Sequence, residues 1–477
     1  GGGQGGGGEA GSGSPASPAW PAPEGRDPRA PGVGAPVAGN KPSGYEEALG
    51  SFNLRVVFQP RRTGFEDKKD LVLGRGDLVA GRYRVEETLG QAAFSTALQC
   101  VDELATKESG GSSAPQVAGT KPLSVCLKVI KNNKDFFDQS LDEIKLLHYL
   151  NSSGDPDTHH VLHMYDFFYY KEHLFIVSEL LRENLYEFGK FIREAEERPY
   201  FHLPNLKKIA RQMLSALGFV HGLGLIHCDV KPENIVISSY SRCEVKLIDF
   251  GSSCFLTDTP TTYIQSRSYR APEVILGLEY DGRIDVWSLG CVLAEMLTGY
   301  VLFQNDSVQT MLARIQGVLG PFPEESLGRA KDTARYMTPN NIVYERVRVE
   351  LAELAVDNPA GLSLQELVDL EALAQDFSEV EGEEEDEREL RWQALVAAAA
   401  HEARAIAEDH FRKQHEARVR GDEYRYLVVY PKHTSLRHRL HTSNRLFLDF
   451  VKSLLALDLG ARPTAQEVSH LGARPTA

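Results

Sequence analysis

The sequence predicts an α+β fold in two lobes, a small, mostly antiparallel sheet with one helix followed by a larger helical lobe. Three observations carry this. Between Tyr83 and Leu180, short apolar runs of strand length follow one another, with one stretch of helical spacing among them. After Leu181 the apolar residues recur at helical spacing instead. Within the second part, Ile226–Gly251 carries a short polar segment, His227–Asn234, followed by apolar runs of strand length.

Residues 1–50 are Gly, Pro, Ala and Ser with few large apolar groups. Such a tail buries too little surface to offset its ordering entropy, and disorder is expected there. Composition changes at Phe52, and residues 51–79 read as an N-terminal extension packing on the domain, with short strands at Leu54–Phe58 and Leu71–Leu73. The domain itself is expected over 80–477. Its sheet-rich lobe, 80–181, starts with a hairpin of Tyr83–Leu89 and Phe94–Val101. A Gly/Ser-rich loop, Asp102–Pro122, leads to a strand at Ser124–Ile130. Asp138–Leu150 then shows helical spacing, and His163–Phe168 and Leu174–Leu180 are two further strands. In the helical lobe, 182–477, Ile209, Met213, Leu217 and Val220 form one apolar stripe. Ile284–Leu297 is apolar nearly all round, as a buried helix is. Residues 346–420 break this regularity. Ser378–Glu389 is an acidic run and Leu390–His410 is Ala-rich and helix-forming, so the block reads as a solvated insert before domain-like sequence resumes at Tyr424. The heptapeptide L-G-A-R-P-T-A at Leu459–Ala465 returns at Leu471–Ala477, too short a duplication to make a repeat fold.

The net charge is −15 and the pI about 5.5, which argues against nucleic acid or an anionic membrane as a main partner. Six cysteines lie scattered with no C-x-x-C pair, so neither a zinc knuckle nor a disulfide framework is indicated. A reducing, intracellular compartment fits, cytoplasmic, nuclear or both. No apolar run suffices to span a bilayer; the nearest, Trp287–Phe303, carries Glu295. The first residue is glycine, which suggests a fragment or a processed end and leaves a targeting segment open. Oligomeric state is not legible.

The polar segment reads H-C-D-V-K-P-E-N from His227 to Asn234, with D-F-G at Asp249–Gly251 and A-P-E at Ala271–Glu273. Phosphoryl transfer asks a protein for a carboxylate to receive the hydroxyl proton, a cation on the γ-phosphate and oxygen ligands for Mg²⁺. Asp229 supplies the base, Lys231 the cation, and Asn234 with Asp249 the metal ligands. These spacings resemble the catalytic loop of the eukaryotic protein kinase superfamily and the two-lobed fold that goes with it. The resemblance implies ATP and Mg²⁺. It places Val125–Lys128 on the strand whose lysine reaches the α- and β-phosphates, with Glu143 on the next helix as partner of Lys128. The phosphate-covering loop departs from the family pattern G-x-G-x-x-G-x-V. From Gly90 the chain reads G-Q-A-A-F-S-T-A, with Ala92 and Ser95 at the second and third glycine positions. A stiffer loop and weaker nucleotide binding are expected. The adenine slot, expected to include Leu89, Glu179 and Leu181, carries Ala97 for the usual valine and Cys126 for the usual alanine. Ser178 takes the position at the back of the pocket, which should therefore be deep.

A sharper resemblance is to the DYRK family within the CMGC group of kinases. It rests on H-C-D-V-K-P-E-N, D-F-G-S-S-C (Asp249–Cys254), Y-I-Q-S-R-S-Y-R-A-P-E (Tyr263–Glu273), D-V-W-S-L-G-C (Asp285–Cys291) and S-L-R-H-R-L (Ser435–Leu440). Asn133–Lys145 and the A-A-F-S hairpin look like the plant and algal branch. The resemblance implies phosphorylation of protein serine and threonine, and autophosphorylation of Tyr263. Thr261 stands where the family usually has a second tyrosine, and Cys228 replaces the arginine that usually holds the activation-loop phosphate. Arg267 and Arg270 are expected to take that phosphate instead. Glu273 and Arg462 are the implied buried ion pair of the helical lobe. Side-by-side catalytic loop and D-F-G segments would bring Cys228 and Cys254 close, as two buried thiols or, where their Cα atoms come within about 7 Å, as a disulfide that constrains the D-F-G segment. The rival reading is a pseudokinase, a binding module without turnover, suggested by the altered glycine loop. Retention of Lys128, Glu143, Asp229, Asn234 and Asp249 opposes it.

Overall fold

The computed structural model describes residues 51–62, 71–104, 123–195, 200–258, 263–304, 307–337, 341–348, 424–429 and 434–471. The tail over 1–50, most of the loop over 102–122 and nearly all of the insert expected over 346–420 lie outside the described residues. The N-terminal sheet contains β1 (Arg55–Val57), β2 (Leu78–Val79), β3 (Tyr83–Gln91), β4 (Ser95–Asp102), β5 (Ser124–Ile130), β6 (Met164–Tyr170) and β7 (His173–Glu179), in the order β1-β6-β7-β5-β4-β3-β2. All pairings are antiparallel except β1 on β6, where Arg55 faces Phe168 and Val57 faces Tyr170. Strand alternation divides the sheet into two faces. Leu98, Cys100, Val125, Leu127, Phe168, Phe175 and Val177 enter one core. Leu71 and Leu73 pack against that core but form no strand. β2 already occupies the edge beside β3, and the Leu71 N–H is satisfied by the His173 ring at 3.2 Å instead.

Helix α1 (Lys134–Ser153) starts four residues before its apolar stripe suggests, because Asn133 caps it by accepting from the amides of Asp135 and Phe136. The helical lobe follows with α2 (Leu185–Glu194), α3 (Leu203–Gly222), the short strands β8 (Leu225–Ile226), β9 (Ile235–Ser239), β10 (Glu244–Leu247) and β11 (Cys254–Phe255), and then α4 (Pro272–Leu276) and α5 (Arg283–Thr298). Every residue of α5 from Ile284 to Met296 is buried, which explains its all-round apolar sequence. Next come α6 (Val308–Leu319), α7 (Glu324–Arg329), α8 (Thr333–Tyr336), β12 (Tyr344–Arg348), β13 (Tyr424–Val428), α9 (Leu436–Leu440), α10 (Arg445–Leu454) and α11 (Ala465–Leu471). Strands β12 and β13 pair antiparallel, so residues 349–423 leave and rejoin the lobe across the rung Arg348–Tyr424. The Arg462 guanidinium is fully buried. It ion-pairs with Glu273, donates to the Ala456 carbonyl and lies 5.0 Å from the centre of the Trp287 ring. It thereby ties α4, α5 and the segment before α11 together.

Candidate active site

The cleft begins with the faces of β5. Val125, Leu127 and Val129 point into the core, so Cys126 and Lys128 point the other way. Register places Ala97 and Ile176 opposite Lys128, and Gln99 and Ser178 opposite Cys126. Lys128 Nζ donates to both oxygens of Glu143 on α1 at 2.8 Å. Burial pulls the Lys128 pKa down, but the charges of Glu143 and Asp249 outweigh it, and the ammonium is held above its ordinary value. In the β3–β4 turn, Ala92 N–H bonds the Ser95 carbonyl at 2.8 Å, and Lys131 Nζ bonds the Ala93 carbonyl at 2.9 Å. Phe94 folds back so that its ring centre lies 5.2 Å from Lys128 Nζ. A Cβ on Gly90 would meet nothing within 4 Å, so the space beside the strand there is open. Leu89 is half exposed at the same edge and Leu181 is partly buried beyond β7. Ser178 is buried, and burial raises the Cys126 thiol pKa despite hydrogen bonding with Ser178.

Glu179 differs from Ser178 in direction. Its Oε1 accepts from the His163 amide at 2.8 Å and from Lys246 Nζ at 2.6 Å, on the face away from Cys126. Any contact of Glu179 with adenine is therefore a backbone contact. Lys246 is 4% exposed, also binds Asp157 at 2.5 Å, and stands three residues before Asp249. It links the end of β7, through Glu179, to the strand that leads into Asp249.

Asp229 lies at the centre of the second half. Its Oδ1 accepts from Ser266 Oγ at 2.7 Å and Ser266 N–H at 3.1 Å, and its Oδ2 accepts from Lys231 Nζ at 2.7 Å and Asn234 Nδ2 at 3.2 Å. Burial pushes its pKa up, but the hydrogen bonds from Lys231 and Ser266 prevail, and the group stays below the usual carboxylate value. Cys228, Asp249 and Gln265 each hold a left-handed backbone, with φ of 64°, 63° and 64°. A non-glycine residue there costs about 1–3 kcal/mol and needs neighbours that fix it. Buried Asp285 supplies them for the catalytic loop, taking the amides of His227 at 2.8 Å and Cys228 at 3.0 Å and His221 Nε2 at 2.9 Å. The Gln265 side chain bonds Ile284 O, Ser288 Oγ and Ala271 N. His227 accepts from Asp229 N–H at Nδ1, so its proton sits on Nε2, 3.0 Å from the Ile248 carbonyl. The Cys228 and Cys254 sulfurs are 3.4 Å apart as free thiols. Their mutual contact, in which either sulfur can donate, shifts the Cys254 thiol down and the Cys228 thiol up.

Tyr263 is 90% exposed. The Arg270 guanidinium lies 6.0 Å from its ring centre and donates to the carbonyls of Ile264 and Gln265 at 2.8 Å. Burial and then the like charge of Arg267 lower the Arg270 pKa. Among the described residues no carboxylate pairs with either arginine.

Asn234 donates both contacts of its amide nitrogen to Asp229. That orientation leaves its side-chain oxygen available as a ligand. No group of three His, Cys, Asp or Glu gathers as a metal site among the described residues. Mg²⁺ needs only one or two protein oxygens when phosphates supply others, so the residues present fit it. Ser266, Lys246, Asp285 and Phe94 are the contributors that sequence reading misses. Ser266 meets Asp229 across 37 positions and Lys246 meets Glu179 across 67, with no local pattern to announce either.

The chain matches the protein kinase domain family over residues 83–471. It is 41% identical over 267 residues to the DYRK-family kinase pom1 of Schizosaccharomyces pombe, covering 55% of this chain and 22% of that one. It is 40% identical over 260 residues to dual specificity tyrosine-phosphorylation-regulated kinase 4 of Homo sapiens (54% and 46%), and 41% over 279 residues to the serine/threonine-protein kinase ppk15 of S. pombe (57% and 48%). The chain thus spans less than half the length of these relatives. With the domain match running from the first strand of the β3–β4 hairpin to the last described helix, the chain belongs to the protein kinase family.

Proposed function

We propose that this chain transfers the γ-phosphoryl group of ATP to serine or threonine of protein substrates, and once to its own Tyr263. The observation that carries this is the set of contacts on Asp229. Lys231, Asn234 and Ser266 aim the carboxylate, and their donors keep it ionised at neutral pH. A base held below its ordinary pKa is a weak one. It orients the acceptor hydroxyl and takes the proton late, as oxygen–phosphorus bonding develops. Lys231, bonded to Asp229, would be the cation on the γ-phosphate. Lys128 would hold the α- and β-phosphates, and Asn234 and Asp249 would hold Mg²⁺. Bound Mg²⁺ supplies charge neutralisation on the phosphate oxygens. The adenine slot is assigned to Leu89, Gly90, Ala97, Cys126, Ser178, Leu181 and the backbone of Glu179. A scaffold has no need of all these charged groups in register, so the binding-module alternative is set aside.

Arg267 and Arg270, adjacent cations with no carboxylate partner among the described residues, support the phosphate site for Tyr263. The domain is assigned to residues 80–477, with 51–79 as an extension that adds β1 to the sheet. Protein substrates and ATP are the partners; the acidic charge speaks against nucleic acid and anionic membrane. Among the described residues no helix is long and apolar enough to cross a membrane. Six free cysteines support a cytoplasmic or nuclear setting. The Asn133–Lys145 segment and the A-A-F-S hairpin support the plant and algal branch.

The test is divalent-dependent transfer from ATP to a serine-containing protein, together with the intact mass of chain produced without any other kinase. Phosphate on Tyr263 and transfer that stops with chelator are expected. An unmodified chain with full activity refutes the Tyr263 assignment, and no transfer in excess divalent cation refutes the enzyme.

A further inference from the structure

Far along the chain from the catalytic loop, a cavity of about 450 Å³ is lined by Ser435, Arg437, His438, His441, Thr442 and Ser443. In a chain of net charge −15, the stretch from Thr434 to Leu448 holds Arg437, Arg439 and Arg445 with His438 and His441, and no Asp or Glu. Arg439 turns inward to the Leu302 carbonyl at 3.2 Å. Arg437, His438 and His441 line the cavity, and none of them is ion-paired among the described residues.

The hydroxyls reinforce the same polarity. Ser435 Oγ accepts the His438 N–H at 3.2 Å as cap of α9, and Thr442 Oγ1 accepts the Asn444 N–H at 3.3 Å. Backbone donors thus occupy the acceptor side of both oxygens, and their own protons are left to donate outward. His441 holds a left-handed backbone at φ 48°, and its ring centre lies 5.9 Å from that of His438. The wall is fixed on both sides. The Thr434 amide bonds the Gly317 carbonyl at the end of α6, and Asn444 caps α10. A guanidinium, two imidazoles and three hydroxyls, with no carboxylate among the described lining residues, make a lining of donors.

Such a lining suits an oxyanion with more than two acceptor oxygens. A phosphate monoester presents three at a charge of about −1.5 to −2. The cavity is much larger than one phosphate group, which leaves room for the chain that carries it. We propose that this pocket docks a phosphorylated segment of a protein, held through its phosphoryl group. A kinase that binds an already phosphorylated partner here would present it to the cleft at raised local concentration. This last step rests on the proposed kinase activity; the binding does not.

The probe is a fluorescent Gly/Ser peptide carrying one phosphoserine, titrated with the chain by anisotropy beside the unphosphorylated peptide. The phosphopeptide is expected to bind at least about tenfold more tightly. That preference should vanish in the double variant Arg437→Ala, His441→Ala, and excess inorganic phosphate should displace the peptide. Both side chains are exposed, and an unchanged melting temperature verifies the variant's fold. Equal binding of the two peptides overturns the proposal. So does a preference that survives in the double variant, which would assign it to Arg267 and Arg270, and so does tight inorganic phosphate with no gain from the peptide. Failure of transfer from ATP, with these binding results intact, would strike the kinase reading and leave the pocket standing.

Discussion

On the N-terminal side of the cleft, Ala92, Ser95, Cys126 and Ser178 all depart from the residues common in kinases, and the charged pair Lys128–Glu143 stands among them unaltered. On the C-terminal side, both oxygens of Asp229 are engaged, by Ser266, Lys231 and Asn234, and left-handed Cys228 and Gln265 are held by buried partners. The difference follows from what each side touches. Walls around a neutral base trade a methyl here for a thiol there at modest cost. A carboxylate that must meet a hydroxyl has no such latitude, since about 1 Å of misplacement costs about a hundredfold in rate.

The comparison breaks most severely if the scaffold under the rigid side is removed. Arg462→Met leaves Glu273 charged and buried without its partner, and should cost about 3–5 kcal/mol of stability. Denaturant titration reads this. A loss below about 1 kcal/mol would mean that α4 and α5 are held by apolar packing alone.

Within the rigid side, Ser266→Ala removes the 2.7 Å hydroxyl donor to Asp229 and leaves the backbone N–H donor in place. Transfer should fall about tenfold. The sign of the pH effect is fixed by the chemistry. The donors hold the Asp229 pKa down against burial. Without the Ser266 hydroxyl the folded-state pKa rises, so protonation and loss of transfer set in at higher pH than in the parent. An acid limb that stays in place would mean that another group titrates there.

The tolerant side should respond least. Ser178→Phe fills the back of the adenine slot, opposite Cys126 across the sheet. ATP affinity should change by no more than about 1 kcal/mol, whereas analogues with a bulky group on the adenine N6 edge should be excluded by the variant and accepted by the parent. Equal binding of such an analogue by both would move the gate elsewhere.

The same division governs what the sequence discloses. Asp229, Lys231, Asn234 and Asp249 are legible because their spacing within one segment is the chemistry itself. The β3–β4 hairpin and α5 are legible because burial writes a period into the chain. The strand expected at Leu71–Leu73 is absent since pairing depends on a free edge, which no local run reports. Ser266, Lys246 and Asp285 are read only from the fold, for each acts on a partner tens of residues away. The adenine-slot residues lie between these cases. Ser178 shares the cleft face with Cys126 and Lys128, while the carboxylate of Glu179 turns the other way to Lys246.

On the proposed function, the adenine slot and the base for the acceptor hydroxyl lie in separate halves of one cleft. ATP affinity and phosphoryl transfer, measured on one preparation of Asp229→Asn, test this division most directly. Affinity within about twofold of the parent and transfer reduced by at least about a thousandfold are the predicted results. Substantial residual transfer, or an affinity that collapses with it, would contradict the claim.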